Sequence, residues 1–173
     1  MASSIKNLST YDEKNIPEGK AFNIGIIVSD WNSDITHALY DGCFDTLIKH
    51  GVEEKNIRTV QVPGTFELPT AARLMLSRSN VDAVICIGCV IKGETKHDEY
   101  INHAVATGIT NLSLTSGKPV IFGVLTPNNH QQAVDRAGGK HGNKGVEAAV
   151  TALRMADLHK NYKENEPKGR IGF

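Results

Sequence analysis

Four apolar segments divide the chain, and polar residues and glycines separate them. They cover residues 22–29, 57–62, 81–88 and 119–126. The first, third and fourth are nearly continuous runs of Val, Ile and other apolar residues, which is typical of strands buried on both faces of a parallel sheet. The second is shorter, and Pro and Gly follow it directly. The pattern therefore predicts four strands.

The segments between these strands predict helices, because their apolar residues recur three and four positions apart. Asn32, Ser33 and Asp34 are candidates to cap the first helix, and Gly51 follows its last turn. Strands that alternate with helices favour an α/β fold with right-handed crossovers. The predicted helices cover residues 32–50, a segment carrying Leu68 to Leu76, a segment from about 95–98 to 112, residues 130–137 and residues 146–159.

The length of 173 residues fits one compact domain with a real core. Residues 1–20 are polar and carry both charge signs, so we expect an N-terminal arm. Residues 21–163 are expected to form the single domain. Pro and Gly in the last stretch predict a C-terminal tail at residues 164–173.

Charge and hydropathy favour a cytoplasmic protein without a nucleic-acid or membrane partner. Lys plus Arg equals Asp plus Glu, at 19 each, so bulk electrostatics give no support for a nucleic-acid or membrane partner. No apolar run approaches the roughly 20 residues of a membrane span, and the first 20 residues lack the apolar core of a signal peptide. The three cysteines are an odd number, which favours free thiols over a disulfide framework.

Candidate chemistry lies in the loops that follow the strands, where open α/β sheets bind their ligands. Trp31 is the single tryptophan and comes directly after the first strand. It could stack on a planar heterocycle. It could equally be an ordinary core or rim aromatic, and its position alone does not separate the two.

The loop before the third helix combines an anion site with a proton-transfer group. Gly93, Glu94 and Thr95 precede the helix, where free N–H groups bind phosphate well. The alternative is an ordinary turn with Thr95 as N-cap. His97 follows, and an imidazole ordinarily exchanges protons near neutrality. The alternative for His97 is a solvated surface histidine.

Two further motifs are ambiguous or weak. The glycine-rich segment at residues 138–145, with Arg136 and Lys144 at its ends, is a candidate phosphate loop. It lacks P-loop spacing, and the alternative is a flexible turn between helices. Cys86 and Cys89 form a C-x-x-C, but on a strand residues three apart face opposite sides. No two further zinc ligands are evident, and a thioredoxin-type motif would open a helix. We expect no metal site.

Several segments resemble one known family in order and in register. Residues 62–69, VPGTFELP, resemble its motif V-P-G-[AST]-[FY]-E-[IL]-P. Residues 88–97, GCVIKGETKH, resemble its loop G-x-V-I-[KR]-G-x-T-x-H. Residues 119–126 are similar to its fourth strand, and residues 136–138 and 142–147 to its C-terminal part. The resemblance runs from about residue 22 to about residue 158, and the family is that of 6,7-dimethyl-8-ribityllumazine synthase.

The resemblance implies a flavodoxin-like three-layer sandwich with a four-stranded parallel sheet and helices on both faces. It implies a transferase of riboflavin biosynthesis that condenses 5-amino-6-(D-ribitylamino)uracil with 3,4-dihydroxy-2-butanone 4-phosphate and releases phosphate and water. It implies no cofactor and no metal. It also implies a homopentamer with active sites shared between neighbours. The resemblance leaves open whether the pentamer is the final assembly or a unit of a decamer or a 60-subunit capsid. The short turn at residues 138–145 is compatible with the capsid, whereas the N-terminal arm disfavours it.

The resemblance also assigns the site residues. His97 falls on the proposed general acid/base, and Trp31 on an aromatic that stacks on the pyrimidine. Glu94 is an anionic residue where several members have a small one, so we expect its side chain to point away from the phosphate. The other implied substrate-binding residues are Thr65, Phe66 and Glu67 at the ribityl chain, Val90 and Ile91 beside them, Gly93, Glu94 and Thr95 at the phosphate, and Arg136, Phe122 and Lys144 from the neighbouring subunit.

Three other classes of function remain open at this point. The chain could be a flavin- or nucleotide-binding module without chemistry, although such a module needs no proton shuttle like His97. It could be a riboflavin synthase that dismutates lumazine and uses no sugar phosphate. A shell-forming structural role could coexist with catalysis.

Overall fold

A four-stranded, all-parallel sheet forms the centre of the computed structural model, which describes residue 7 and residues 9–164. The four predicted strands are present, with ends that differ from the prediction by at most two residues. The strand order is β2-β1-β3-β4, which is the order of the flavodoxin-like doubly wound fold. The strands are β1 (Ile24–Ser29), β2 (Ile57–Val62), β3 (Ala83–Cys89) and β4 (Val120–Leu125).

Helices cover both faces of this sheet and complete three layers. α1 and α5 pack on one face, whereas α2 and α3 pack on the other. The predicted α/β three-layer fold is therefore confirmed. The helices are α1 (Ser33–Lys49), α2 (Leu68–Arg78), α3 (His97–Ser116), α4 (His130–Arg136) and α5 (Lys144–Glu164).

Two apolar cores hold the layers together, one on each face of the sheet. Alternate residues of β1 point to opposite faces, so Ile26 belongs to the α1–α5 core and Ile27 to the α2–α3 core. Both side chains are fully buried, and each contributes about 1.5–3 kcal/mol through burial. Cys86 and Cys89 likewise lie in different cores, which confirms the predicted separation of their side chains.

The last helix is longer than the pattern predicts, because its cap lies earlier in the chain. α5 begins at Lys144 rather than residue 146, and it continues to Glu164 rather than ending near residue 159. The side chain of Asn143 accepts a hydrogen bond from the Gly145 N–H at 2.8 Å, which is the geometry of an N-cap.

The glycine-rich segment before α5, for which the sequence left a phosphate-binding loop and a flexible turn open, contains a small β-hairpin. Strands β5 (Ala137–Gly139) and β6 (Gly142–Asn143) pair in antiparallel fashion. The sequence signal is hidden because glycine has low strand propensity. Hydrogen bonds from outside the hairpin hold it instead: Arg136 donates to the His141 carbonyl at 3.0 Å, and Ser9 bonds the Asn143 backbone.

The described part of the N-terminal arm lies against the domain. The Tyr11 hydroxyl and His50 Nε2 are 3.1 Å apart, and Glu13 pairs with Lys49 at the end of α1. The division into arm, domain and tail stays a prediction, and residues 165–173 of the expected tail lie outside the described residues. Among the described helices, none combines the length and the apolar character needed to cross a membrane.

Candidate active site

An open cleft of about 780 Å³ lies beyond the carboxyl ends of β1 and β3. These two strands are adjacent in the sheet, and the connections that follow them run in opposite directions. This switch point is the place where the fold class binds its ligands. Seven of the predicted site residues line the cleft: Trp31, Thr65, Phe66, Glu67, Val90, Ile91 and His97. The other lining residues are Asn32, Gly64, Cys89, Tyr100, Ile101 and Ala104.

Trp31 forms one wall of the cleft because the turn after β1 is held in an unusual conformation. Its side chain is 73% exposed, although it is the largest aromatic in the chain. The next residue, Asn32, has a left-handed φ of 59°. The Asn32 side chain does not cap α1 as predicted. Instead it donates to the Cys89 carbonyl at 2.9 Å and so ties the end of β1 to the end of β3.

The segment Thr65–Glu67 is a single 3₁₀ turn that supplies a second wall. Thr65 is buried and sits directly over Gly88, where an added Cβ would lie 2.7 Å from its hydroxyl oxygen. Phe66 and Glu67 are exposed. A Cβ at Gly64 would lie 3.0 Å from a Glu67 carboxylate oxygen, so this turn requires close approach of the backbone to the carboxylate.

Val90 and Ile91 continue from β3 along the floor of the cleft. Their segment keeps an extended path, because Val90 N–H donates to the Leu125 carbonyl and Lys92 N–H to the Pro127 carbonyl, each at 2.9 Å. Both side chains are half-buried, and they pack against opposite cores. This part of the site therefore continues the β3–β4 pairing beyond the ends of the two strands.

His97 begins α3 and faces the cleft, where its side chain is exposed. Tyr100, Ile101 and Ala104 follow it on the same helix face, at spacings of three, four and seven residues. These three residues are not among the site residues predicted from the sequence. The helical spacing from His97 is the signal that predicts them, because residues three, four and seven positions further along a helix lie on the same face.

The predicted phosphate loop lies beside the cleft rather than in its lining. Gly93, Glu94 and Thr95 are all exposed. The helix starts one residue later than the Thr95 N-cap alternative requires, with Lys96 at the cap position. The loop is closed by long hydrogen bonds of 3.4 Å, from Gly93 N–H to the Asp98 carboxylate and from His97 N–H to the Thr95 hydroxyl.

Among the described residues that line the cleft there is no Lys or Arg. Arg136 and Lys144 lie elsewhere, each beside Glu147. Arg136 Nη2 is 2.9 Å from one Glu147 carboxylate oxygen, and Lys144 Nζ is 3.1 Å from the other. Phe122 is also outside the lining; it is half-buried on β4 beside the α2–α3 core. One chain therefore brings together seven of the predicted residues and keeps these three apart from them.

The three cysteines are buried free thiols. Burial raises the pKa of Cys86 and of Cys89 to about 12, and the nearby Asp34 carboxylate adds to the effect at Cys89. Although Cys89 lines the cleft, its thiol stays protonated and is a poor nucleophile. Within residues 7 and 9–164, no group of three or more His, Cys, Asp and Glu side chains is arranged to hold a metal ion.

The fold and the cleft define a flavodoxin-like α/β protein with a small-molecule site at the switch point of its sheet. A family model described as 6,7-dimethyl-8-ribityllumazine synthase matches residues 21–160 of the sequence. The chain therefore belongs to the 6,7-dimethyl-8-ribityllumazine synthase family.

Curated relatives with that same name match nearly the whole chain. The protein of Cytophaga hutchinsonii is 54% identical over 155 residues, which are 90% of this chain and 97% of the relative. The protein of Porphyromonas gingivalis is 53% identical over 160 residues, covering 92% and 99%. The protein of Flavobacterium johnsoniae is 50% identical over 167 residues, covering 96% and 88%. The resemblance inferred from the motifs is thereby confirmed.

Proposed function

We propose that the cleft is the site at which this chain condenses 5-amino-6-(D-ribitylamino)uracil with 3,4-dihydroxy-2-butanone 4-phosphate to form 6,7-dimethyl-8-ribityllumazine. The observation that carries the proposal is the meeting of an exposed aromatic wall, a turn with a free carboxylate and His97 around one cleft. Membership of the family supplies the reaction type, which makes the chain a transferase of riboflavin biosynthesis.

The aromatic wall suits the pyrimidine. Trp31 at 73% and Phe66 at 58% exposure leave large apolar surfaces without a partner inside the described chain. A planar heterocycle stacked on Trp31 would cover such a surface. The turn of Thr65, Phe66 and Glu67 then offers backbone groups and a carboxylate to the hydroxyls of the ribityl chain, and Val90 and Ile91 form an apolar floor.

The proposed chemistry needs positioning and proton transfer. The pyrimidine amine attacks the ketone, water is lost to give an imine, phosphate leaves, and the ribitylamino nitrogen closes the ring with loss of a second water. Holding two substrates in contact supplies much of the rate. His97 is in place to accept and return protons at the mouth of the cleft, as a general acid/base.

A phosphate substrate also needs cations, and these would come from a second copy of the chain. The lining described above has no Lys or Arg, whereas phosphate recognition is strongest with charge-assisted donors. Arg136 and Lys144 are such donors, and Phe122 of the same neighbour would close the aromatic wall. Gly93, Glu94 and Thr95 would add backbone N–H groups, with the Glu94 side chain turned away. This arrangement supports the expected homopentamer. Larger assemblies and the cytoplasmic location stay predictions.

A turnover assay tests the proposal against its alternatives. The protein is incubated with both substrates, and the fluorescence of the lumazine product is followed together with phosphate release. We expect one phosphate per lumazine. A flavin- or nucleotide-binding module would give no product. A second incubation, with 6,7-dimethyl-8-ribityllumazine alone, distinguishes a riboflavin synthase, which would consume it without any sugar phosphate.

A further inference from the structure

The N-terminal arm docks on the hairpin that leads into Lys144, and the contact is made by Ser9. Its hydroxyl accepts a hydrogen bond from the Asn143 N–H at 2.6 Å and donates one to the Asn143 carbonyl at 2.9 Å. One hydroxyl thus satisfies both main-chain groups of the residue before Lys144. Ser9 lies outside residues 21–160, the part that matches the family model.

Gly142 allows the arm to approach this closely. Its φ is +85°, a conformation that favours glycine. A Cβ at this position would also collide with the Asn7 side chain and with the Ser9 hydroxyl. The Ser9 backbone N–H in turn donates to the Asn7 side chain at 2.9 Å, so the arm segment carries its own local bracing. The arm and the hairpin are therefore complementary surfaces.

Asn143 passes this constraint on to α5 and α1. Its side-chain oxygen accepts from the Gly145 N–H at 2.8 Å, and its side-chain nitrogen donates to the Ala38 carbonyl at 2.8 Å. The main chain of Lys144 is therefore fixed on both sides, by the anchored backbone of Asn143 and by the capped Gly145. A shift of Asn143 would move the root of the lysine side chain.

The other end of the hairpin is tied to Arg136. Its guanidinium donates to the His141 carbonyl at 3.0 Å and pairs with Glu147, which also holds Lys144. The relative placement of the two cations thus depends on the shape of the hairpin between them. The hairpin is rich in glycine, which loses more conformational freedom on ordering than any other residue. An external anchor removes part of that cost before a ligand binds.

We propose that Ser9 is a positioning residue for phosphate binding: by clamping the Asn143 backbone, it sets the hairpin so that Arg136 and Lys144 present their charges together. This inference rests on the proposed role of these two cations toward the substrate phosphate. It makes the N-terminal arm a part of the phosphate site. The pyrimidine half of the cleft, at Trp31 and Thr65–Glu67, is built from other segments and does not depend on it.

Four variants of the full chain test the role of the hydroxyl. Ser9→Ala removes it. Ser9→Val and Ser9→Thr have the same shape as each other, and only Thr keeps the hydroxyl. Thr10→Val is the matched control, because Thr10 is the exposed neighbour in the same arm. For each variant we measure kcat, KM for both substrates, and the inhibition constant of inorganic phosphate as a probe of the anion site.

We expect Ser9→Ala and Ser9→Val to raise KM for the sugar phosphate and the inhibition constant of phosphate by about three- to tenfold. The kcat and the KM for the pyrimidine should stay within about twofold. Ser9→Thr should lie closer to wild type than Ser9→Val, and Thr10→Val should match wild type. A purely structural role would instead lower the melting temperature and change both KM values together, and that result would overturn the proposal.

An Arg136→Ala variant separates failure of this inference from failure of the proposed function. If Arg136→Ala weakens phosphate inhibition while Ser9→Val does not, the cation binds phosphate and Ser9 does not position it. If Arg136→Ala leaves both phosphate constants unchanged, the phosphate role of the cluster is wrong, and the positioning role of Ser9 is wrong with it. Equal constants for Ser9→Thr and Ser9→Val would show that the hydroxyl is not the cause.

Discussion

The cleft and the cluster of Arg136, Lys144 and Glu147 hold their side chains in opposite ways. In the cleft, Trp31 and Phe66 stand exposed on a backbone fixed by the sheet. In the cluster, the side chains of Arg136 and Glu147 are only 19% and 22% exposed, and they neutralise each other. The cleft leaves apolar surface open for a ligand, whereas the cluster holds two cations on one carboxylate and so keeps one positive charge in excess.

This difference has a physical reason. An exposed aromatic side chain needs no partner in the protein. A half-buried cation without a partner, in contrast, raises the free energy of the folded state. Glu147 shares its carboxylate between two cations, so each keeps donors that can turn to a phosphate without leaving its partner. The comparison predicts that damage to the cleft affects turnover or the pyrimidine, and that damage to the cluster affects the sugar phosphate.

The largest effect is expected from His97→Ala, because it removes the only proposed proton-transfer group. Positioned acid–base groups contribute about 10²–10⁴-fold, and the reactive amine and ketone place this reaction near the lower limit, at about 100-fold in kcat. Both KM values should change little. The check is the turnover number of His97→Ala and His97→Asn under saturating substrates, from about pH 6 to 8. Wild-type turnover in both variants throughout that range would show that His97 transfers no proton and that the site acts by holding the two substrates together.

The next effect is expected from Arg136→Ala, which should raise KM for the sugar phosphate by about 30-fold and that for the pyrimidine much less. A charge-assisted hydrogen bond contributes about 1.5–3 kcal/mol, which sets this scale. Steady-state kinetics with each substrate varied in turn give the two values.

Mixing this variant with His97→Ala sharpens the comparison between the two regions. If one site draws His97 from one subunit and Arg136 from the next, exchange of subunits creates some intact sites and restores activity. Mass spectrometry verifies the exchange. No recovery after verified exchange would contradict a shared site.

A smaller effect is expected from Trp31→Ala, which should weaken binding of a pyrimidine ligand roughly tenfold. Stacking of a base on an aromatic side chain contributes about 1–3 kcal/mol, and tenfold lies near the lower end of that range. Trp31→Tyr is the matched control and should keep most of the affinity. Calorimetric titration measures the binding, and an unchanged dissociation constant in Trp31→Ala would remove the stacking assignment.

No effect on activity is expected from chemistry directed at the cysteines. Burial holds the pKa of Cys86 and Cys89 at about 12, so both thiols stay protonated at neutral and mildly alkaline pH. Alkylating reagents should modify them only after denaturation, and chelators should leave turnover unchanged. Mass spectrometry of the native protein after exposure to iodoacetamide checks the first point. Stoichiometric zinc whose removal abolishes activity would contradict the second.

The layers of the fold could be predicted because the central strands are continuous apolar runs, which is the pattern of strands covered on both faces. The run in β1 is apolar on both faces, as is that in β3, and both strands are completely buried. The shorter and more polar run at Ile57–Val62 corresponds to the strand at the edge of the sheet, where most side chains are exposed. Composition did not report position in the sheet in general, however, because β4 lies at the other edge and is nearly as apolar and buried as the central strands.

The parts that escaped prediction depend on contacts between distant segments. The hairpin before α5 is anchored by Ser9, which lies 134 residues before Asn143, and no local pattern records such a contact. Asn32 looks like a helix cap in sequence, yet its side chain bonds the Cys89 carbonyl, 57 residues away. Tyr100, Ile101 and Ala104 differ from these cases, because their spacing from His97 is a local signal that the sequence does contain.

The contact between Gly88 and Thr65 links two positions that are 23 residues apart. A side chain at position 88 would meet both branches of Thr65, at 2.7 and 2.9 Å, and then Leu68 at 3.1 Å. An alanine at position 88 would therefore be harmful beside threonine, whereas glycine at position 65 would remove the two closest contacts and leave only the one with Leu68, at 3.1 Å. Attempts to reshape the pocket for other substrates should therefore vary positions 65 and 88 together, because the side chain allowed at one depends on the residue at the other.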